Sequence, residues 1–116
     1  MKDRRRHFLP LAPATLHILL ALAAEDMHGY GIMQEIARQS DGRYKVGPGT
    51  LYDNLQRLMV QGLVEEVNDA ASENSRRRYY RLTSIGHSVL AEEIGRLERV
   101  VRQAKLHLQI PKPKRL

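Results

Sequence analysis

Leu90, Ile94, Leu97, Val101, Ala104 and Leu108 follow one another at intervals of four, three, four, three and four residues, shortly before Pro111 and Pro113. Only a helix brings such positions to one side, and so narrow a stripe is the seam of a coiled coil. A helix that packs on its own domain shows a wider apolar face. The last quarter of the chain is therefore expected to form one long helix, from an N-cap at Thr83 to about Leu108, with its stripe filled by a second copy of the chain. Glu92, Glu93, Glu98, Arg96, Arg99, Arg102 and Lys105 then fall on flanking or solvent positions.

Ahead of that helix, glycine and proline cut the chain into short pieces. Between Pro13 and Ala24, Leu16, Leu19, Leu20 and Ala23 recur at the spacing of one helical face. Met27-His28-Gly29-Tyr30-Gly31 interrupts the pattern with two glycines, and Ile32, Met33, Ile36 and Ala37 resume it until Asp41-Gly42. A third helix is expected from Pro48, where a missing N–H costs nothing, to a left-handed Gly62. Leu51, Leu55, Leu58 and Met59 form its inward face, which leaves Thr50, Asp53, Asn54 and Arg57 outward and Tyr52 on the flank. Residues 63–67 and 78–82 read as two strands around a polar tip, with Tyr80 and Leu82 sharing a face.

A chain of 116 residues is one domain by length, and its formal charge of +6 is unevenly placed. Residues 10–71 carry four basic and eight acidic side chains, so the basicity lies elsewhere. It is concentrated in residues 1–9, in Arg76, Arg77, Arg78 and Arg81, and in Lys112, Lys114 and Arg115. Polyanions are the natural partner class. The absence of cysteine excludes a disulfide framework, a thiolate metal site and a cysteine nucleophile, and fits a cytoplasmic protein. A basic start followed by a largely apolar run to Ala24 imitates a secretory leader. Pro10, Pro13, Thr15 and His17 interrupt it, and the uncharged run is too short to span a bilayer.

Three helices followed by a hairpin with a basic tip compose a winged helix-turn-helix, a mainly α fold with a small β-hairpin, here extended by the long C-terminal dimerisation helix. In that architecture the third helix enters the major groove of double-stranded DNA and the wing touches the backbone or minor groove. The DNA-binding residues expected on this basis are Lys45, Gly49, Thr50, Tyr52, Asn54 and Arg57 on and before the third helix, and Arg76, Arg77 and Arg78 in the wing. Gly49 and Thr50 are small enough for close approach to phosphates, which the N–H groups of a helix start attract. The expected organisation is a basic arm over 1–9, a winged helix over 10–83, the dimerisation helix over 84–108 and a basic tail over 109–116.

Leu11-Ala12-Pro13-Ala14-Thr15-Leu16, His28-Gly29-Tyr30-Gly31-Ile32, Gly49-Thr50-Leu51-Tyr52, Leu55-Gln56-Arg57-Leu58, Gly62-Leu63-Val64 and Arg78-Tyr79-Tyr80-Arg81-Leu82-Thr83 together resemble the PadR family of transcriptional regulators. The match runs over about residues 10–108, and the single C-terminal helix resembles the family's smaller members. The resemblance implies a homodimeric DNA-binding regulator, mostly a repressor, with a pseudo-palindromic operator and a small-molecule effector between the subunits. It puts Thr50 and Tyr52 on the recognition helix, Arg76 to Arg78 in the wing and Tyr80 in the core. Asp53 departs from the family's frequent proline, and an acid there either accepts from cytosine N4 or repels phosphate.

Two other classes of function compete with this reading. An enzyme would have to draw on His7, His17, His28, His87 and His107, none of which stands at metal-ligand spacing, and there is no phosphate loop or nucleophile elbow. Neither catalysis nor a cofactor is expected, and His17 reads as a satisfied, partly buried histidine and His28 as a turn residue. A non-catalytic interaction module, with the C-terminal seam on a different chain, is the alternative; it predicts a monomer when the protein is purified alone.

Overall fold

The computed structural model describes residues 7–67 and 78–109. Its elements run α1 (Pro13–Ala24), β1 (Met27–His28), α2 (Gly29–Gln39), α3 (Pro48–Val60), β2 (Val64–Val67), β3 (Tyr79–Leu82) and α4 (Ser84–Leu108). Helix α1 starts with proline in its first turn and is apolar nearly all round, so a single stripe does not describe it. Thr15, Ile18, Leu19, Ala21 and Leu22 are its buried residues, while Leu16 and Leu20 are half-buried and Ala23 is exposed. The expected face was therefore rotated. Helices α2, α3 and α4 and strand β3 all pack on α1, which makes it the centre of the molecule.

The segment Met27 to Gly31, expected as a break, is a strand leading straight into a helix. Met27 and His28 pair antiparallel with Tyr80 and Tyr79, so the sheet has three strands in the order β1-β3-β2 where a two-stranded hairpin was expected. His28 then caps α2, its Nδ1 accepting the Gly31 N–H at 3.0 Å. Two residues are too few to show a strand's alternating pattern.

Helix α3 ends as its sequence dictates. Gly62 takes φ +77°, its N–H reaches the Met59 carbonyl at 3.1 Å, and the Leu63 N–H reaches Leu58 at 2.9 Å. This Schellman pair satisfies the last carbonyls and turns the chain into β2. Thr83 closes the returning strand: its hydroxyl accepts the Gly86 N–H at 3.0 Å and donates to the Gly62 carbonyl at 2.6 Å. One side chain thereby caps α4 and fastens it to the end of α3. Inside, Leu51, Leu55 and Leu58 of α3 meet Ile18, Leu19, Ile32, Ile36, Leu63 and Val89, all essentially fully buried. Among the described residues no helix is long and apolar enough to cross a membrane.

Candidate nucleic-acid interface

Because Leu51, Leu55 and Leu58 hold α3 against the core, the opposite face is presented outward from a fixed support. Thr50, Tyr52, Asp53, Gln56, Arg57 and Val60 are exposed along it, and Lys45 and Gly49 are exposed at its approach. Most of the expected groove-facing residues therefore share one accessible side, joined by Gln56, which the sequence reading omitted. A helical wheel centred on Leu51, Leu55 and Leu58 places Asp53 and Val60 nearest the outward pole, with Gln56 and Arg57 on either side of them, so the signal was present.

Asn54 is the correction on this helix. It lies three residues after Leu51 and four before Leu58, hence on their side, and is only 8% exposed. Its Oδ1 accepts from the Thr15 hydroxyl at 2.7 Å and its Nδ2 donates to the Thr50 carbonyl at 2.8 Å. These bonds satisfy a buried amide and tie α3 to α1, a packing role that leaves no groove contact.

Beside α3 stands the base of the hairpin. Arg78 is exposed, and its Nε lies 3.4 Å from a Glu66 carboxylate oxygen on β2. Arg81 is engaged elsewhere, with Glu65 at 2.9 Å and Asp26 at 3.9 Å. Arg76 and Arg77, the remainder of the expected wing cluster, lie outside the described residues. Tyr80 faces inward as expected, and its burial pushes the phenol pKa up, with the nearby Glu66 carboxylate acting in the same direction. Tyr52 lies on the bare backbone of Gly29: a Cβ at that position would come within 2.3 Å of its hydroxyl oxygen.

The histidines form no cluster. His28 is the α2 cap, while His17 stacks on Tyr44 with ring centroids 4.3 Å apart, its buried Nδ1 without a hydrogen-bond partner where a satisfied histidine was expected. Among the described residues no group of three His, Cys, Asp or Glu side chains could hold a metal ion.

The stripe of α4 divides in two. Leu90, expected at the dimer interface, is only 6% exposed because the first turns of α4 pack inside the chain, and Ile94 leans on the same core. Glu93, expected at a flank, is fully buried: its carboxylate accepts the Leu11 N–H at 2.7 Å and pairs with Arg96. Beyond it the apolar surface is uncovered. Leu97 and Ala104 are half-buried, and Val101 and Leu108 are exposed, as is Val100 beside them.

Known proteins share both the pattern and the fold. The family model described as the transcriptional regulator PadR-like family matches residues 18–92, from α1 into α4. The transcriptional regulator Rv3488 of Mycobacterium tuberculosis is 37% identical over 92 residues, covering 79% of this chain and 82% of that protein. A PadR family transcription regulator from Clostridium difficile superposes with TM-score 0.67 at 26% identity, over 84% of this chain and 99% of the other. BpsR of Bordetella bronchiseptica shares the fold at TM-score 0.63 and 18% identity, over 90% of this chain and 69% of that one. With the pattern running from α1 into α4, a helix that offers its polar face beside the base of a hairpin, and a relative matched over most of both lengths, the chain belongs to the PadR-like family of transcriptional regulators, DNA-binding proteins and not enzymes.

Proposed function

We propose that the protein is a sequence-specific, cytoplasmic repressor that binds double-stranded DNA as a homodimer. The observation that carries this reading is the outward face of α3, where Thr50, Tyr52, Asp53, Gln56 and Arg57 stand exposed on a helix otherwise held by the core. Residues 10–83 form the DNA-reading head, and α4 joins it to a second copy through Leu97, Val101, Ala104 and Leu108. Two recognition helices then enter successive major grooves about 34 Å apart on a pseudo-palindromic operator. The basic arm over 1–9 and tail over 109–116 add phosphate contacts. A small-molecule effector between the subunits would relieve repression by changing the separation of the heads. The regulation of BpsR DNA binding by 6-hydroxynicotinic acid supports that part of the reading.

Titration of the protein into the DNA upstream of its own gene and into a scrambled duplex, each at two salt concentrations, tests the DNA assignment. Tyr52→Ala is expected to lose roughly tenfold or more on the upstream duplex and much less on the scrambled one, as the loss of a base contact requires. Equal losses on both would remove Tyr52 from base readout.

Association is tested separately by mass in solution. Val101→Glu puts a charge into the seam, at a position exposed in the single chain, so the folded protein is expected to fall from two chains to one and to bind the upstream duplex more weakly. A wild-type monomer that binds neither duplex would favour the interaction-module alternative.

A further inference from the structure

Among the described residues, Gly29 and Gly86 are the glycines at which a Cβ would come within 3.0 Å of a neighbour, and the obstacles differ in kind. At Gly86 the obstacle is the backbone of Leu63. At Gly29 it is one side chain: the three nearest atoms are Oη, Cζ and Cε1 of Tyr52, at 2.3, 2.9 and 3.2 Å. The ring of an exposed residue on α3 thus lies directly on the first residue of α2.

Nothing local calls for glycine at position 29. Its φ lies outside the left-handed region, and alanine is the better helix former. Its backbone is fixed without any help from Tyr52. On one side Met27 and His28 pair with Tyr80 and Tyr79 of β3, and on the other the His28 imidazole accepts the Gly31 N–H at 3.0 Å. Tyr52, by contrast, is 48% exposed on an outward helical flank, where the staggered rotamers open to a helical tyrosine are not decided by the core. The ring also borders a cavity of about 700 Å³ that Tyr30, Gln34 and Arg78 help to line, so a ring pushed off Gly29 has space to occupy.

We infer that Gly29 is a positioning residue for operator discrimination: its bare backbone holds the Tyr52 ring, before DNA arrives, in the one placement from which the hydroxyl meets its base. The inference rests on the base-reading role proposed above for Tyr52, and Gly29 itself touches no DNA. Ordering the ring in advance spares the rotamer freedom that an exposed side chain otherwise loses on binding, and it keeps the hydroxyl where a single base edge can engage it.

Gly29→Ala, Tyr52→Ala and the double variant, each titrated into the upstream and the scrambled duplex at one salt concentration, test the assignment. Gly29→Ala is expected to lose about three- to tenfold on the upstream duplex and little on the scrambled one, with its thermal midpoint kept. In the Tyr52→Ala background the same exchange is expected to cost no further discrimination, because the ring it displaces is gone. A merely structural glycine would weaken both duplexes alike and lower the midpoint in either background, and that result would overturn the assignment. So would unchanged discrimination in Gly29→Ala. Nuclear Overhauser contacts between the Gly29 α-protons and the Tyr52 ring in the free wild type check the seat without any variant, and their absence would overturn it while leaving DNA binding intact. A wild type that treats the two duplexes alike would instead overturn the underlying reading, and the role of Gly29 with it.

Discussion

Replacement of Glu93 by alanine is expected to cost about 3 kcal/mol and to lower the thermal midpoint by on the order of 10 °C. The carboxylate is fully buried, yet it is well matched: the Leu11 N–H comes to 2.7 Å of Oε2, and Arg96 reaches the same oxygen with Nη2 at 3.1 Å. Alanine strands a backbone N–H away from water and leaves a void. Arg96, whose side chain is about one-third exposed, can turn outward, which keeps the loss at the lower end of that for a broken buried pair. The hydrogen bond from Arg96, seconded by the Leu11 N–H against the opposing effect of burial, holds the Glu93 pKa below its ordinary value of 4.5. A depressed acid stabilises the fold above its unfolded-state pKa, and that stability is lost as pH falls through the folded value. The wild type should therefore lose its advantage over Glu93→Gln on acidification below about pH 4.5, a difference readable from urea denaturation at pH 7 and pH 3. Equal midpoints for wild type and Glu93→Ala at pH 7 would refute the structural role.

Gly86→Ala is expected to destabilise by about 2–3 kcal/mol, against the usual gain of up to about 1 kcal/mol for this exchange within a helix. The first turn of α4 lies on the backbone that follows α3, and a Cβ at position 86 would stand 2.1 Å from the Leu63 carbonyl oxygen and 3.3 Å from a Leu82 methyl. That carbonyl already accepts the Thr83 N–H at 3.1 Å, so it cannot yield without loosening the junction. Gly95 provides the control in the same helix, because a Cβ there meets only Arg99 at 3.6 Å, an ordinary contact. Gly95→Ala should raise the thermal midpoint and Gly86→Ala lower it. Shifts of the same sign would mean that Gly86 is not needed for the close approach of α4 to Leu63. Both Gly86 and Glu93 lie where α4 leaves the head. In the proposed dimer they would set the angle at which each head meets DNA.

Local chemistry made much of the architecture legible before any coordinates. Pro48 and Gly62 bracket α3, Thr83 caps α4, and Tyr80 and Leu82 alternate inward along β3, because proline, a left-handed glycine, a capping hydroxyl and strand alternation each act within a few residues. The exposed side of α3 was largely readable for the same reason. Three features were not. The β1 strand exists because Tyr79 and Tyr80, some fifty positions later, offer it a ladder. Asn54 is polar, and its place on the side of Leu51 and Leu58 is favourable only because the Thr15 hydroxyl of α1 and the Thr50 carbonyl meet its amide. Leu90 belongs to an unbroken seam in sequence, yet α4 spends its first turns on its own head and leaves the stripe open only beyond Ile94.

By itself, then, the sequence determined where helices begin and end, which faces are apolar and where charge accumulates, since propensity, capping and periodicity are properties of neighbouring residues. Tertiary structure alone decided which polar groups are satisfied inside, which half of the α4 stripe stays exposed, and that Tyr30, Tyr52 and Arg78 surround one cavity. Those outcomes depend on distances between residues remote in the chain, and burial of a polar or apolar group is favourable only when the partner that meets it is already in place.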